Sequence, residues 1–139
     1  MQFKKFTDSL VVRLDPGEDI VATLTDIAKK ENIRLATVSA IGAVNDITVG
    51  LFDPVSKKYT QNEIKDNFEI VSLAGNISTM KNETYLHLHM AVADVTGKVI
   101  GGHLNKAIVS ATTEVFINVI DGEVDREYSE TVGLNLLKL

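Results

Sequence analysis

Apolar and polar positions alternate with a period of two along most of this chain. One stretch near the N-terminus breaks that rhythm. In "DPGEDIVATLTDIAKKENI", Ile20, Leu24, Ile27 and Ala28 recur at helical spacing and form one apolar face. Asp15 suits the N-cap and Pro16 the first helical position, and Glu18 lies three residues after the cap, as in a capping box. Asn32 suits a left-handed stop. The pattern predicts one main helix over about 16–31.

The remaining segments read as strands. "FKKFTDSLVVRL" gives two short ones around Thr7-Asp8. "RLATVSAIGAV" and "ITVGLFD" flank Asn45-Asp46, a two-residue hairpin signal. "KYTQNEI" reads as a short strand, and "FEIVSLAGNISTM" as a long one with Gly75 as a bulge or bend. "TYLHLHMAVAD" and "KVIGGHL" follow on either side of "VTG", and "TEVFINVID" is a further strand. "NKAIVSA" fits either a short helix or a crossover, "GEVDREYSE" a polar surface loop, and "TVGLNLLKL" an apolar tail that docks as an edge strand or against another subunit. The expected fold class is α+β: a single domain over 1–139 with a mostly antiparallel central sheet of about seven strands and the one helix.

Composition narrows the function. The chain has 139 residues, no cysteine and a net charge of −5. Disulfides and thiolate metal sites are therefore excluded. "MQFKKFTDSL" does not read as a signal peptide, and no stretch approaches the roughly 18 apolar residues of a membrane span. The expectation is a soluble, cytoplasmic protein with no membrane partner. Its three arginines, Arg13, Arg34 and Arg126, and its scattered lysines form no basic stripe. Duplex binding draws on clustered Lys and Arg, so the charge argues against direct DNA binding by this chain alone. The hydrophobic fraction of 45% suits a buried subunit interface.

All three histidines lie between Tyr85 and Asn105. Strand alternation puts His87 and His89 on one face with Tyr85 and Ala91, and leaves Leu86, Leu88 and Met90 for the core. A three-residue loop, Val95-Thr96-Gly97, with glycine third is a common hairpin connection. It pairs Asp94 with Lys98, then 93 with 99, 91 with 101 and 89 with 103. His89 is thereby set opposite His103, with His87 as the diagonal neighbour. Gly101, beside Ala91, leaves open space next to the imidazoles.

Three neutral imidazoles suit a divalent metal with a fourth position left for water, an anion or a substrate. Zn²⁺ is the first choice; Ni²⁺, Co²⁺, Mn²⁺ and Fe²⁺ accept the same donors. The competing readings are an exposed polar face or a proton-coupled histidine cluster. Glu69 and Glu114 interrupt apolar strand patterns and could act as bases, although strand glutamates mostly face solvent. Asp94 fits a turn cap better than a ligand, Arg13 fits a surface salt bridge, and Ser39 sits in no nucleophile elbow.

Taken in order, "LDPGEDIVATLTDIAKKENI", "VSAIGAVNDITVGLFD", "NFEIVSLAGNIS", "LHLHMAVAD" and "GGHL" resemble the plants-and-prokaryotes-conserved (PPC) domain over about residues 10 to 121. The resemblance implies an α/β fold with a central antiparallel sheet, a homotrimer, and a metal at His87, His89 and His103 of the kind some prokaryotic members carry. Plant relatives attach a basic AT-hook, and this chain has no "RGRP" element. Prokaryotic members are often given a DNA-binding label by analogy with those plants. Two functions follow. One is a trimeric module that associates with regulatory proteins or DNA-bound partners. The other is a metal-dependent enzyme or small-molecule binder working through the three histidines.

Overall fold

The computed structural model describes residues 1–139. Eight strands and one helix follow in the order β1 (Gln2–Lys5), β2 (Ser9–Leu14), α1 (Ile20–Lys30), β3 (Ala36–Asp53), β4 (Lys58–Met80), β5 (Glu83–Ala93), β6 (Val99–Val119), β7 (Arg126–Ser129) and β8 (Leu134–Leu137). The main sheet has six strands in the order β1-β2-β6-β3-β4-β5, and β7 and β8 make a separate pair. All pairings are antiparallel. β5 also hydrogen-bonds to β6, so the four long strands β3, β4, β5 and β6 close into a ring with no free edge between them.

The expected α+β class is therefore corrected. Strands take 66% of the chain and the single helix is short, so the protein is mostly β. The helix is shorter than 16–31 because residues 15–18 turn before it begins. Gly17 is left-handed at φ +88°, and Glu18 folds back to accept a hydrogen bond from the Asp15 backbone N–H (2.8 Å). The reciprocal contact expected of a capping box forms, yet it closes a turn. The cap is Asp19, whose carboxylate accepts from the Val21 and Ala22 N–H groups; such a cap contributes about 1 kcal/mol. The C-terminal end behaves as read. Asn32 is left-handed (φ 52°), and the N–H groups of Asn32 and Ile33 return to the carbonyls of Lys29 and Ala28. Ile20, Leu24, Ile27 and Ala28 are buried as one face, against β5 and β6.

Other boundaries also shift. Asn45-Asp46 makes no hairpin turn: β3 runs straight through it, with a register shift between Val44 and Asp46 in both of its pairings. Val44 and Ile47 are fully buried on either side, so reversing the chain there would expose core. The extra residue is absorbed as a bulge, and Asp46 meets Lys106 at 2.8 Å. "KYTQNEI" and "FEIVSLAGNISTM" join into the one strand β4, whose register shifts fall between Lys65 and Phe68 and between Ile70 and Ser72, not at Gly75. "NKAIVSA" continues β6 as strand. "GEVDREYSE" is not all loop, because Arg126–Ser129 forms β7 and pairs with the C-terminal β8. This last hairpin lies against β4, with the Thr79 N–H bonded to the Val124 carbonyl.

Twenty-six buried apolar residues form one core, drawn from α1, Ile33 just after it, and the inward faces of β2 to β6. Leu88 and Met90 belong to it. Their neighbours His87 and His89 consequently point outward from the ring.

Candidate metal centre

The β5–β6 hairpin sets the site. Gly97 is left-handed (φ +80°), and the Asp94 carboxylate accepts from the backbone N–H groups of Thr96 and Lys98 and from the Thr96 hydroxyl. Asp94 is thus the turn cap. The register that follows is Ala93 with Val99, Ala91 with Gly101, and His89 with His103. The expected pairing is the one observed.

The three imidazoles converge from adjacent strands. His87 Nε2 and His89 Nε2 are 3.2 Å apart, and one ring nitrogen from each histidine lies within 4.8 Å of the others. Around a tetrahedral ion with Zn–N near 2.0–2.1 Å, ligand nitrogens stand about 3.3 Å apart. The His87–His89 spacing already fits, and a small rotamer change would bring His103 to it. No carboxylate joins the cluster. Glu69 and Glu114 are solvent-facing on their strands, paired with Ala93 and with Ile41 and Arg13. Arg13 makes its surface ion pair with Asp15 at 3.3 Å. Ser39 is exposed between Ala74 and Phe116.

The electrostatics favour neutral rings at His87 and His103. Burial, then His103, Arg126 and His89, hold His87 down to about 4. Burial and His89 lower His103 as well. Neutral imidazole is the form that donates to a metal, and the three residues fit a divalent ion by number and spacing.

Glycines bring the strands close. A side chain on Gly101 would strike the Met90 carbonyl, one on Gly75 the His87 carbonyl, and one on Gly102 the Gly50 carbonyl. Gly101 therefore serves strand contact first. It also lines, with Ala74, His89 and Ala91, an open depression of about 310 Å³ beside the cluster. On the other flank Tyr59 meets His103 edge-on (centroids 6.0 Å apart) and accepts a hydrogen bond from Asn105 at 2.7 Å.

Arg126 is the site-flanking residue that the sequence left in a surface loop. It is 6% exposed. Nε donates to Ser78 Oγ (2.8 Å), Nη1 to the Asn135 carbonyl (2.9 Å) and Nη2 to Asn76 Oδ1 (2.9 Å). Its guanidinium stacks on Tyr85, 4.6 Å from the ring centroid. Asn76 is the direct cross-strand partner of His87, and Ser78 that of Tyr85, which places the cation beside His87. The available signal was the alternation of "REYS" and "LNLL" on either side of Gly133, a hairpin pattern.

Comparison with known proteins places these features. Residues 1–121 match the model of the Plants and Prokaryotes Conserved (PCC) domain. A metal-containing protein from Archaeoglobus fulgidus superposes with a TM-score of 0.90 at 33% identity, covering 100% of this chain and 99% of that one. A provisionally named DNA-binding protein from Bacteroides thetaiotaomicron gives 0.96 at 30%, covering 99% and 96%. A plant- and prokaryote-conserved protein from Pyrococcus horikoshii gives 0.87 at 26%, covering 99% and 95%. Among curated proteins, the bifunctional protein GlmU of a Synechococcus strain is 33% identical over 103 residues, 73% of this chain. The match spans only 15% of that relative's length. No helix here is long and apolar enough to cross a membrane.

Proposed function

The chain belongs to the Plants and Prokaryotes Conserved domain family, and on that premise we propose that it is a homotrimeric protein built around a divalent-metal centre at His87, His89 and His103, whose open coordination position receives a ligand. The observation that carries the reading is the convergence of three imidazole nitrogens within 4.8 Å with no carboxylate among them. Zn²⁺ suits that donor set best, and the name of the Archaeoglobus relative supports a metal in this fold. A divalent ion there would supply Lewis acidity and a binding position for an oxygen donor. No carboxylate belongs to the cluster itself, and the reading gives the centre a ligand-binding role.

A second reading is association with DNA, directly or through bound partners, supported by the name of the Bacteroides relative. The net charge of −5 and the absence of a basic stripe weigh against direct contact.

The test is elemental analysis of protein purified without chelators. The reading expects about one divalent ion per chain in the wild type and none in the H87A/H89A/H103A variant. An equal metal content in the two would overturn it.

A further inference from the structure

Arg126 has a charge that nothing in the protein balances. It forms no salt bridge, and each of its three hydrogen bonds goes to a neutral oxygen. Of the five guanidinium N–H groups, two remain without a protein acceptor. A buried cation without a counter-ion is costly, and pinning the β7–β8 hairpin to β4 does not require one. Neutral hydrogen bonds such as that of Thr79 to the Val124 carbonyl already do so.

We propose that Arg126 anchors a small carboxylate ligand whose other end occupies the coordination position left open by His87, His89 and His103. The proposal rests on the metal reading given above. Three neutral imidazoles leave the full charge of a divalent ion uncompensated, and Arg126 adds a further positive charge on the same outer face. The two cations lie on either side of one cross-strand pair: His87 contributes to the centre, and its partner Asn76 orients the guanidinium. An anion between them satisfies both. A guanidinium offers a planar pair of donors that matches a carboxylate. Here the stack on Tyr85 and the bonds to Asn76, Ser78 and Asn135 fix that plane before any ligand arrives, so little side-chain freedom is lost on binding. The site is hemmed by the β7–β8 hairpin on one flank and by Tyr59 on the other, which suits a short acid of a few carbons with an oxygen next to its carboxylate, such as a 2-hydroxy acid.

The experiment loads the protein with Co²⁺ and follows its visible bands while glycolate, and separately the neutral glycolamide, is titrated in. Wild type is expected to bind glycolate at least roughly tenfold more tightly than glycolamide, because only the acid brings a charge to the ion and to the pair with Arg126. R126Q is expected to take up Co²⁺ with the same stoichiometry and ligand-free spectrum, while its glycolate dissociation constant rises at least roughly tenfold and its glycolamide constant changes little. An unchanged glycolate affinity in R126Q, or equal binding of acid and amide by wild type, overturns the anchor and leaves the metal centre standing. Failure of wild type to take up Co²⁺ overturns both. If R126Q fails to fold by circular dichroism, R126K takes its place: it keeps the charge but not the planar pair of donors, and a glycolate affinity equal to that of wild type overturns the anchor.

Discussion

His89 on β5 lies directly opposite His103 on β6, their ring centroids 5.6 Å apart, and His87 stands 5.2 Å from His103 on the same outer face. That relationship follows from a loop of three residues. Moving the register by one position would turn His103 to the other face of its strand. Each imidazole should therefore count. Replacing any one by Ala should lower metal affinity by more than the roughly 10–100-fold that loss of a ligand's supporting contact costs. Asp94→Ala should disturb the turn and affect the metal less. Competition with a chromogenic chelator measures all four variants. A single His→Ala that kept wild-type affinity would remove that residue from the centre.

Protonation gives a second expectation. The folded pKa of His87, about 4, lies below its ordinary 6.5, with burial the main cause. The unfolded chain thus takes up a proton on this ring before the folded one does. The contribution of neutral His87 is fully present above about pH 6.5, and is lost as pH falls from there towards 4. The lowered carboxylates Asp15, Glu18 and Asp46 start from 3.8 to 4.5, so their losses come at the acid end of that range, while His103, lowered by burial like His87, adds to the loss that begins at 6.5. Metal-free protein should lose stability between pH 6.5 and 5, and the H87A variant should lose less over the same interval. Urea midpoints at the two pH values read the difference; equal losses would contradict the burial argument.

Gly75 links the strands to the centre. It pairs with Leu88, and a β-carbon there would collide with the His87 carbonyl. The obstacle is backbone, so β4 and β5 must separate. Gly75→Ala should cost roughly 1–3 kcal/mol, in the range of overpacking a tight site. It should also weaken metal binding by moving His87. A variant as stable as wild type by urea denaturation would show that the strands can part without cost.

Much of this was legible because strand periodicity and turn chemistry are local. Gly97 and Asp94 fix the β5–β6 register, and the helix face from Ile20 to Ala28 can be counted off the chain. What was lost is long-range. Asn45-Asp46 looks like a turn in isolation; the burial of Val44 and Ile47 by β4 and β6 converts it to a bulge. Gly17 ended the expected first turn of the helix by adopting a left-handed conformation that only the folded chain reveals. Arg126 reads as one more surface charge until the final hairpin folds over Ser78 and Tyr85.

Charge predicts weak contact with DNA. At −5 per chain, every added copy increases phosphate repulsion. Fluorescence anisotropy with a labelled random duplex at physiological salt should show no binding in the submicromolar range where specific complexes fall. Tight binding with a steep salt slope would reveal a basic surface that the separate lysines do not suggest.

Assembly can be argued from a single row of cross-strand neighbours. His103 pairs with His89, His89 with Ala74, Ala74 with Ser39, and Ser39 with Phe116. All lie on the outer face of the ring, so the row leads from the histidines to an area of exposed apolar side chains with Glu69 and Glu114 beside it. There Phe116 is 47% exposed, Ile41 60% and Val71 55%. Single exposed apolar residues are ordinary; large ones gathered on one sheet face mark an interface. The family resemblance proposes three copies, so light scattering at micromolar concentration should give about three times the 15.2 kDa of the chain. Placing a charge in that area should break the contact, because a carboxylate buried without a partner is strongly disfavoured. Phe116→Glu should shift the mass towards monomer while leaving the circular dichroism unchanged, since the side chain contributes nothing to the inward-facing core. The depression beside His89 lies between the histidines and this face, so separation of the copies should also alter access to the centre. A wild-type mass of one chain would sink the assembly, and a Phe116→Glu trimer as stable to dilution as wild type would place the contact elsewhere.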